Sequence, residues 1–220
     1  MNTKQSIVKA YDHASAGYAA AFWNEFEGKP FDRMILRWLA ERTRGGEPVL
    51  EIGCGPGEVS GFLTDLGVDC LGTDISSEMI ENARRCFPKA RFEIQDFFDV
   101  KYPDCSFSAV VAFYAIVNWK LDQLVPAFKE VRRVLRPNGF LLLSFHIREA
   151  EPTLEVDKFF DKDDSALTFY FFDVDDVRAA LQQAGFICAD TVIRYPYKDK
   201  EYQSKRAYIV ARKSDSSEQP

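Results

Sequence analysis

From residue 48 onward, short apolar runs alternate with stretches whose apolar residues recur every three or four positions. PVLEI (48–52) reads as a strand, and the stripe Val59, Phe62, Leu63 and Leu66 reads as one face of a helix. DCLGTD (69–74) reads as a second strand, followed by a helix opening at Ser76 with Met79, Ile80 and Ala83 inward. ARFEIQD (90–96) gives a third strand. FSAVVAFYA (107–115) gives a fourth, whose unbroken apolar run suits burial on both faces. Leu121, Leu124, Val125, Phe128, Val131 and Leu135 predict a long helix. Arg136-Pro-Asn-Gly139 stops it and leads into a fifth strand, FLLLSFH (140–146). A helix near 174–184, a stop at Gly185, a strand near 186–194 and a last strand, RAYIVAR (206–212), complete the series. Alternation of this kind predicts an α/β domain, a mostly parallel sheet with helices on both faces.

Two segments stand outside the alternation. Residues 1–45 carry a helical stripe (Phe31, Ile35, Trp38, Leu39) preceded by YDHASAGYAAAFW, and read as an N-terminal helical cap. Residues 147–172 are rich in acids and end in the aromatic run TFYFF; they read as a lid-like insertion at the ligand edge of the sheet. The expected organisation is one domain over 1–213, with SDSSEQP (214–220) a disordered tail. A length of 220 residues with 46% hydrophobic content fits one core. A net charge of −6 weighs against nucleic acid as the main partner, and Arg132, Arg133 and Arg136 fit a solvated helix face near a C-terminus. The five cysteines form no CxxC pair and only two histidines accompany them, so reduced thiols are expected and no metal. No apolar run reaches membrane-spanning length and the first residues lack an apolar signal core, which points to a soluble cytoplasmic protein, monomer or homodimer.

The candidate chemistry lies in VLEIGCGPGEVS (49–60). Gly53, Gly55 and Gly57 follow a strand with Cys54 between them, where a backbone must approach a ligand closely. Dinucleotide folds use G-x-G-x-x-G to seat a pyrophosphate on a helix N-terminus. Here the spacing differs, and Glu51 beside the turn would repel a phosphate. It suits a ligand with a positive charge near the turn. Asp74, ending the second strand, stands where nucleotide folds place the acid that binds ribose hydroxyls. Gln95-Asp96-Phe97 ends the third strand, where a carboxylate can accept from an adenine amino group and apolar neighbours can flank the ring. The set describes adenosine with a cation and no phosphates, which fits S-adenosylmethionine.

Over roughly residues 8–212 the sequence resembles the class I S-adenosylmethionine-dependent methyltransferases, in particular the small-molecule type 11/25 group. VLEIGCGPGEVS, LGTDIS, EIQDFF and LRPNGFLLLS match four of the family's motifs in order. The resemblance implies a Rossmann-like, seven-stranded, mostly parallel sheet with an antiparallel last strand. It implies Glu51 and the three glycines at the methionyl end, Asp74 on the ribose, and Ile75, Gln95, Asp96 and Phe97 at the adenine, with Met79 and Phe113 also at the cofactor. YDHASAGYAAAF is similar to the family's N-terminal element, in which a tyrosine reaches the methionyl group, making Tyr11 and Tyr18 candidates. The segment 194–213 resembles the last hairpin of a bacterial subgroup, with Arg194, Glu201 and Tyr202 near the pocket lip as substrate residues or as a structural ion pair.

Methyl transfer is a direct displacement, so alignment in a dry pocket matters most, and a base is needed only where the acceptor must lose a proton. His146, ending the fifth strand with an ordinary pKa near 6.5, is the first base candidate; His13 is the second. Tyr114, Asn118 and Trp119 follow the fourth strand and are expected to face the acceptor. That position reads AFYAIVNW, with none of the prolines of DNA amino-methyltransferases. A small-molecule acceptor is therefore expected, methylated at O, N or another nucleophile. A protein or tRNA acceptor, a non-catalytic S-adenosylmethionine-binding module and a nicotinamide oxidoreductase are the competing readings.

Overall fold

The central sheet is built from apolar runs between polar turns, and its two faces are set by alternation along the strands. A computed structural model describes residues 2–214. Two helices come first, α1 (Lys4–Phe22) and α2 (Pro30–Thr43). Then follow β1 (Val49–Ile52), α3 (Glu58–Asp65), β2 (Cys70–Asp74), α4 (Ser77–Cys86), β3 (Arg91–Ile94), β4 (Phe107–Phe113) and α5 (Leu121–Val134). The remainder is β5 (Leu135–His146), β6 (Thr153–Val156), β7 (Leu167–Tyr170), α6 (Val174–Gln183), β8 (Phe186–Arg194) and β9 (Arg206–Lys213). Seven strands form one sheet in the order β3-β2-β1-β4-β5-β9-β8, with β9 antiparallel to both neighbours and the rest parallel. This is the expected architecture.

Alternation along β4 divides two cores. Val110 and Ala112 pack with Phe128 and Val131 of α5 and Leu181 of α6. Ala109, Val111 and Phe113 pack with Leu36 and Leu39 of α2 and Leu63 of α3. Both faces are covered, which is why the strand reads as a continuous apolar run. In β1 the same alternation sends Leu50 and Ile52 to the first core and Val49 to the second. Glu51 therefore points with Val49 toward α3.

Three details depart from the sequence reading. Leu135 ends α5 and already pairs with Phe107; residues 136–139 then bulge out, with Asn138 at φ 60°, before Phe140 pairs with Ala109. Within the insertion 147–172, where the sequence reading placed no element, β6 and β7 form an antiparallel hairpin. Its turn residues Phe159 and Phe160 pack on Ile7, Ala10, Tyr11, Ala14 and Tyr18 of α1. The expected tail does not begin at Ser214, which is buried and bonded to Gly185 and Arg132; its other residues, 215–220, lie outside the described ones.

Polar contacts add to the apolar packing of Phe159 and Phe160 in holding the helix α1 over the sheet. Thr3 and Ser6 form a capping box at its start. The Asp12 carboxylate accepts from the Ser76 hydroxyl (2.5 Å) and the Glu78 amide (3.3 Å), at the N-terminus of α4, where negative charge is favoured. Asn2 donates to the carbonyls of Asn118 and Thr168, and Lys4 pairs with Asp96.

Gly57 fixes the passage from loop to α3. Its φ is 95°, and a Cβ there would lie 2.7 Å from the ring of buried Phe92. Gly57→Ala is expected to cost about 1–3 kcal/mol of stability through backbone strain and overpacking. Urea unfolding checks this: the midpoint falls with an unchanged slope.

Candidate active site

Strand order reverses between β1 and β4, and a cavity of about 380 Å³ lies over the strand ends there. Open α/β sheets bind ligands at such a point. One half sits over β1, β2 and β3. The loop from Gly53 to Pro56 lines it and is pinned to β2: the Cys54 amide donates to the Thr73 carbonyl (2.9 Å) and the Gly55 amide to Asp74 Oδ2 (2.9 Å). The other Asp74 oxygen accepts from the Ser76 amide (2.9 Å). Burial raises the Asp74 carboxyl above its usual range against the pull of these amides.

Glu51 is 2% exposed beneath the loop. Its Oε2 accepts from the Ser60 amide (2.8 Å) and hydroxyl (2.5 Å), so it also satisfies a free amide at the start of α3. Burial pushes its carboxyl up to about 8, although the Ser60 bonds favour the charged form. Among the described residues no cation pairs with Glu51 or Asp74. Ile75, Gln95, Asp96 and Phe97 line the far end of this half. Tyr11 and Tyr18 of α1 close it from above, the Tyr11 hydroxyl donating to Asn118 Oδ1 (2.8 Å).

The other half lies over β4 and β5. Phe113, Tyr114, Asn118, Trp119, His146 and Tyr202 all line the cavity, joined by Phe169 and Phe171 of the hairpin region. His146 stacks on Tyr114 with ring centroids 4.9 Å apart, and its Nδ1 lies 2.7 Å from Ser204 Oγ. Burial, then the charges of Arg206 and Lys29, push the imidazole down to about 3. The ordinary value expected from the sequence is thus corrected: His146 is neutral near pH 7. Tyr114 itself adopts φ 55°, a conformation uncommon for a bulky residue, as the chain leaves β4.

Several expected site residues stand elsewhere. Met79 is fully buried on the core-facing stripe of α4 and lines no part of the cavity. Gly57 lies behind the wall, shaping it without lining it. Arg194 is likewise outside the lining: its guanidinium bonds Asp32 Oδ2 (2.9 Å), the Tyr208 hydroxyl (3.1 Å) and both Glu201 oxygens. The ion pair holding the hairpin is the reading that survives. His13 is exposed, 3.4 Å from the Asp163 carbonyl oxygen and away from the cavity. Conversely, Phe22, Glu25, Lys29, Glu58, Phe159, Phe160 and Arg206 line the cavity and were missed. Only Glu58, directly after the third glycine, carried a positional signal.

Residues 49–139 match the family model described as a methyltransferase domain. A malonyl-[acyl-carrier protein] O-methyltransferase of Enterobacter lignolyticus is 30% identical over 151 residues, 69% of this chain and 57% of that protein. The chain spans about half the length of the curated relatives it matches. Among solved structures, magnesium protoporphyrin IX methyltransferase from Synechocystis PCC 6803 with bound SAH superposes with a TM-score of 0.72. It is 17% identical, over 96% of this chain and 100% of that one. The [4+2]-cyclase SpnF superposes with a TM-score of 0.73 at 19% identity, over 96% and 97% of the two chains. At these identities the structural likeness is one of fold. With its glycine turn, its strand-end acids and its sheet order in place, the chain carries a methyltransferase domain over residues 49–139 on the fold of the solved S-adenosylmethionine-dependent methyltransferases.

Proposed function

We propose that the protein is an S-adenosylmethionine-dependent methyltransferase acting on O, N or another nucleophile of a small molecule in the cytoplasm. One observation carries the reading. Two carboxyl groups, buried Glu51 and half-buried Asp74, face one cavity beside a glycine turn, and no cation among the described residues pairs with either. Such a cavity fits a ligand bringing a cation and sugar hydroxyls, and the residues present fit S-adenosylmethionine in that respect. Residues 1–213 form one methyltransferase domain in this reading, with 1–45 as its cap and 147–172 as its lid. The cysteines described are all free thiols, in keeping with a reducing compartment. No helix among the described residues is long and apolar enough to cross a membrane.

When bound, S-adenosylmethionine supplies a methyl group activated on a sulfonium. This chain's residues do the rest. Glu51 and Asp74 hold the cationic and ribose parts, with Phe97 and Ile75 flanking the base. The aromatic roof of Tyr11, Tyr18, Phe159 and Phe160 excludes water, which strengthens every polar contact inside. Tyr114, Trp119, Phe171 and Tyr202 orient the acceptor. The His146 imidazole is a neutral hydrogen-bonding group on the acceptor side, not a store for a proton at pH 7. An acceptor that must lose a proton therefore releases it to solvent or arrives already ionised. Because a [4+2]-cyclase shares this fold, binding alone does not establish methyl transfer. Release of S-adenosylhomocysteine with a matching mass gain in an acceptor, screened over metabolite pools, tests the activity; cofactor binding without product from any pool would favour a binding module.

Three outcomes are expected. Asp74→Ala weakens S-adenosylhomocysteine binding by about 1–3 kcal/mol, measured by calorimetry, because it removes the acceptor for ribose hydroxyls and the tether of Gly55. Unchanged affinity would remove Asp74 from the site. Affinity for S-adenosylmethionine rises with pH and levels off above about 8, since a bound cation favours ionised Glu51 and expels its proton. Calorimetry at pH 7 in buffers of different ionisation heat counts that proton, and Glu51→Gln abolishes its release. For His146 the folded pKa lies below the unfolded one, so its contribution to stability is present above about 6.5 and lost as pH falls toward 3. Urea midpoints measured from pH 7 to pH 4.5 should fall less in His146→Gln than in the parent protein.

A further inference from the structure

His146 sits within an aromatic wall of the acceptor side. Tyr114 stacks on it, and the Phe171 and Tyr202 rings meet it edge to face with centroids 5.7 and 5.8 Å away. Its Nδ1 is spent on Ser204 Oγ, 2.7 Å away. Ser204 is buried and its backbone is fixed: its amide donates to the Tyr202 carbonyl (2.9 Å) and its carbonyl accepts from Arg206 Nη1 (2.6 Å). Among the described residues its hydroxyl has no partner besides His146. A buried hydroxyl proton without an acceptor is costly, so the hydroxyl donates to Nδ1. A neutral imidazole carries one N–H, and with Nδ1 accepting, that proton is on Nε2. Nε2 has no partner among the described residues and is not sealed in the interior, so it opens to the cavity that the ring lines. Two cations stand close by: Lys29 Nζ and Arg206 Cζ lie 5.7 and 5.8 Å from the Tyr114 ring centroid.

We propose that His146 selects the acceptor atom, its Nε2–H donating to an ionised oxygen on a trigonal carbon of a flat acceptor, with Ser204 the positioning residue that fixes the tautomer. The assignment rests on the cofactor reading above and narrows the methylated atom to oxygen. The discrimination is one of lone pairs. An oxyanion accepts from Nε2–H with one pair and attacks the methyl carbon with another. The new O–C bond forms as the C–S bond breaks, and the electron pair of the broken bond stays on sulfur. The oxyanion and sulfonium charges cancel, and no proton moves. A neutral amine has a single lone pair, and once that pair is bound to Nε2–H it cannot attack. A protonated amine has none, and Lys29 and Arg206 repel it. Carboxylates and acidic phenols both bring such an oxygen already ionised near neutrality, which suits a site whose imidazole takes up no proton there. Their planar frames fit the faces of Tyr114, Phe171 and Tyr202.

The tautomer is read first, without cofactor or turnover. Proton–nitrogen correlation spectra distinguish a protonated ring nitrogen from a bare one, and the chain holds only two histidines, so His13→Gln identifies the His146 signals. Near pH 7, Nε2 should be protonated and Nδ1 bare; a protonated Nδ1 would overturn the assignment. Ser204→Ala should shift the Nδ1 resonance and let the Nδ1–H form appear, and an unchanged spectrum would remove Ser204 as the positioning residue. Affinities are then measured with S-adenosylhomocysteine bound, using para-nitrophenolate, para-nitrobenzoate and para-nitroaniline, three flat probes of similar size. At least one oxyanion should bind about tenfold more tightly than the aniline, as a charge-assisted bond implies. Which oxyanion does so separates phenolates from carboxylates. His146→Leu should remove the advantage, and His146→Gln, whose amide nitrogen stands near the place of Nε2, should recover most of it. An aniline bound as tightly as both oxyanions, equal weakening of all three by His146→Leu, or binding of none would each overturn the oxygen selectivity. A parent protein that binds no S-adenosylhomocysteine would overturn the cofactor reading instead, while the spectra would still report on Ser204 and His146.

Discussion

A carboxylate sits under the centre of the sheet's ligand edge, half satisfied. The two-residue period of β1 turns Glu51 toward α3, where the Ser60 amide and hydroxyl both bond one of its oxygens. That contact fixes where α3 begins, because the Ser60 amide is one of the donors a helix start leaves open. The loop between strand and helix must then close over the acid. It does so through Gly53, Gly55 and Gly57, all at positive φ, and through ties from Cys54 and Gly55 to β2. Burying a charge without a counter-ion is expensive, so the group shifts its pKa instead. At about 8 the Glu51 carboxyl is mostly protonated near neutrality, and a cation placed beside it would favour the ionised form. The fold thus tolerates the acid as a neutral group.

Most of the sheet was legible because its signal is local. β4 is apolar on both faces since two cores press on it, and the turn at Gly53–Gly57 advertises its own backbone demands. Assigning Asp74 and Asp96 to strand ends needed only the order of runs. Other features depend on contacts far apart in sequence. The hairpin of β6 and β7 hides in an acid-rich stretch because its apolar residues face α1, distant in the chain, and not the main core. The family resemblance put Met79 at the cofactor, but the helical phase already legible in the sequence turns it into the interior. His146 stands at the expected strand end, yet its chemistry is set first by burial and then by Arg206 and Lys29, and Lys29 belongs to a segment more than a hundred residues away. A pKa is a property of the assembled environment, so a strand-end histidine in the sequence carries no signal of it.

The two halves of the cavity differ in how their charges are balanced. On the acceptor side one carboxylate, Glu201, faces three cations: it bonds Arg194, lies 3.1 Å from Arg206 Nε and 3.9 Å from Lys29 Nζ. Despite burial, Arg194's bonds keep Glu201 below the usual carboxylate range. Asp32, itself fully buried, accepts from Arg194 Nη2, which it shares with Glu201, and from the Tyr208 hydroxyl. Removing one member of such a network would leave another charge buried and unpaired, which costs several times what a surface pair contributes. The network's place is structural: it ties α2, the 195–205 loop and β9 together beneath the acceptor walls.

That contrast bears on how two ligands are told apart in one cavity. The half over β1–β3 holds Glu51 and Asp74, which have amide or hydroxyl donors but no cation among the described residues, so a cationic ligand gains there what it cannot gain over β4 and β5. The acceptor half offers compensated charges, a neutral imidazole and aromatic faces, so discrimination there falls to shape and stacking. In the proposed function, ordering by charge on one side and by contour on the other would keep the acceptor from competing for the cofactor's place. It also explains why the glycine motif and its acids identify the methyl donor so directly. The acceptor walls come from four separate segments whose shared surface exists only after folding, and no short stretch of the sequence records it.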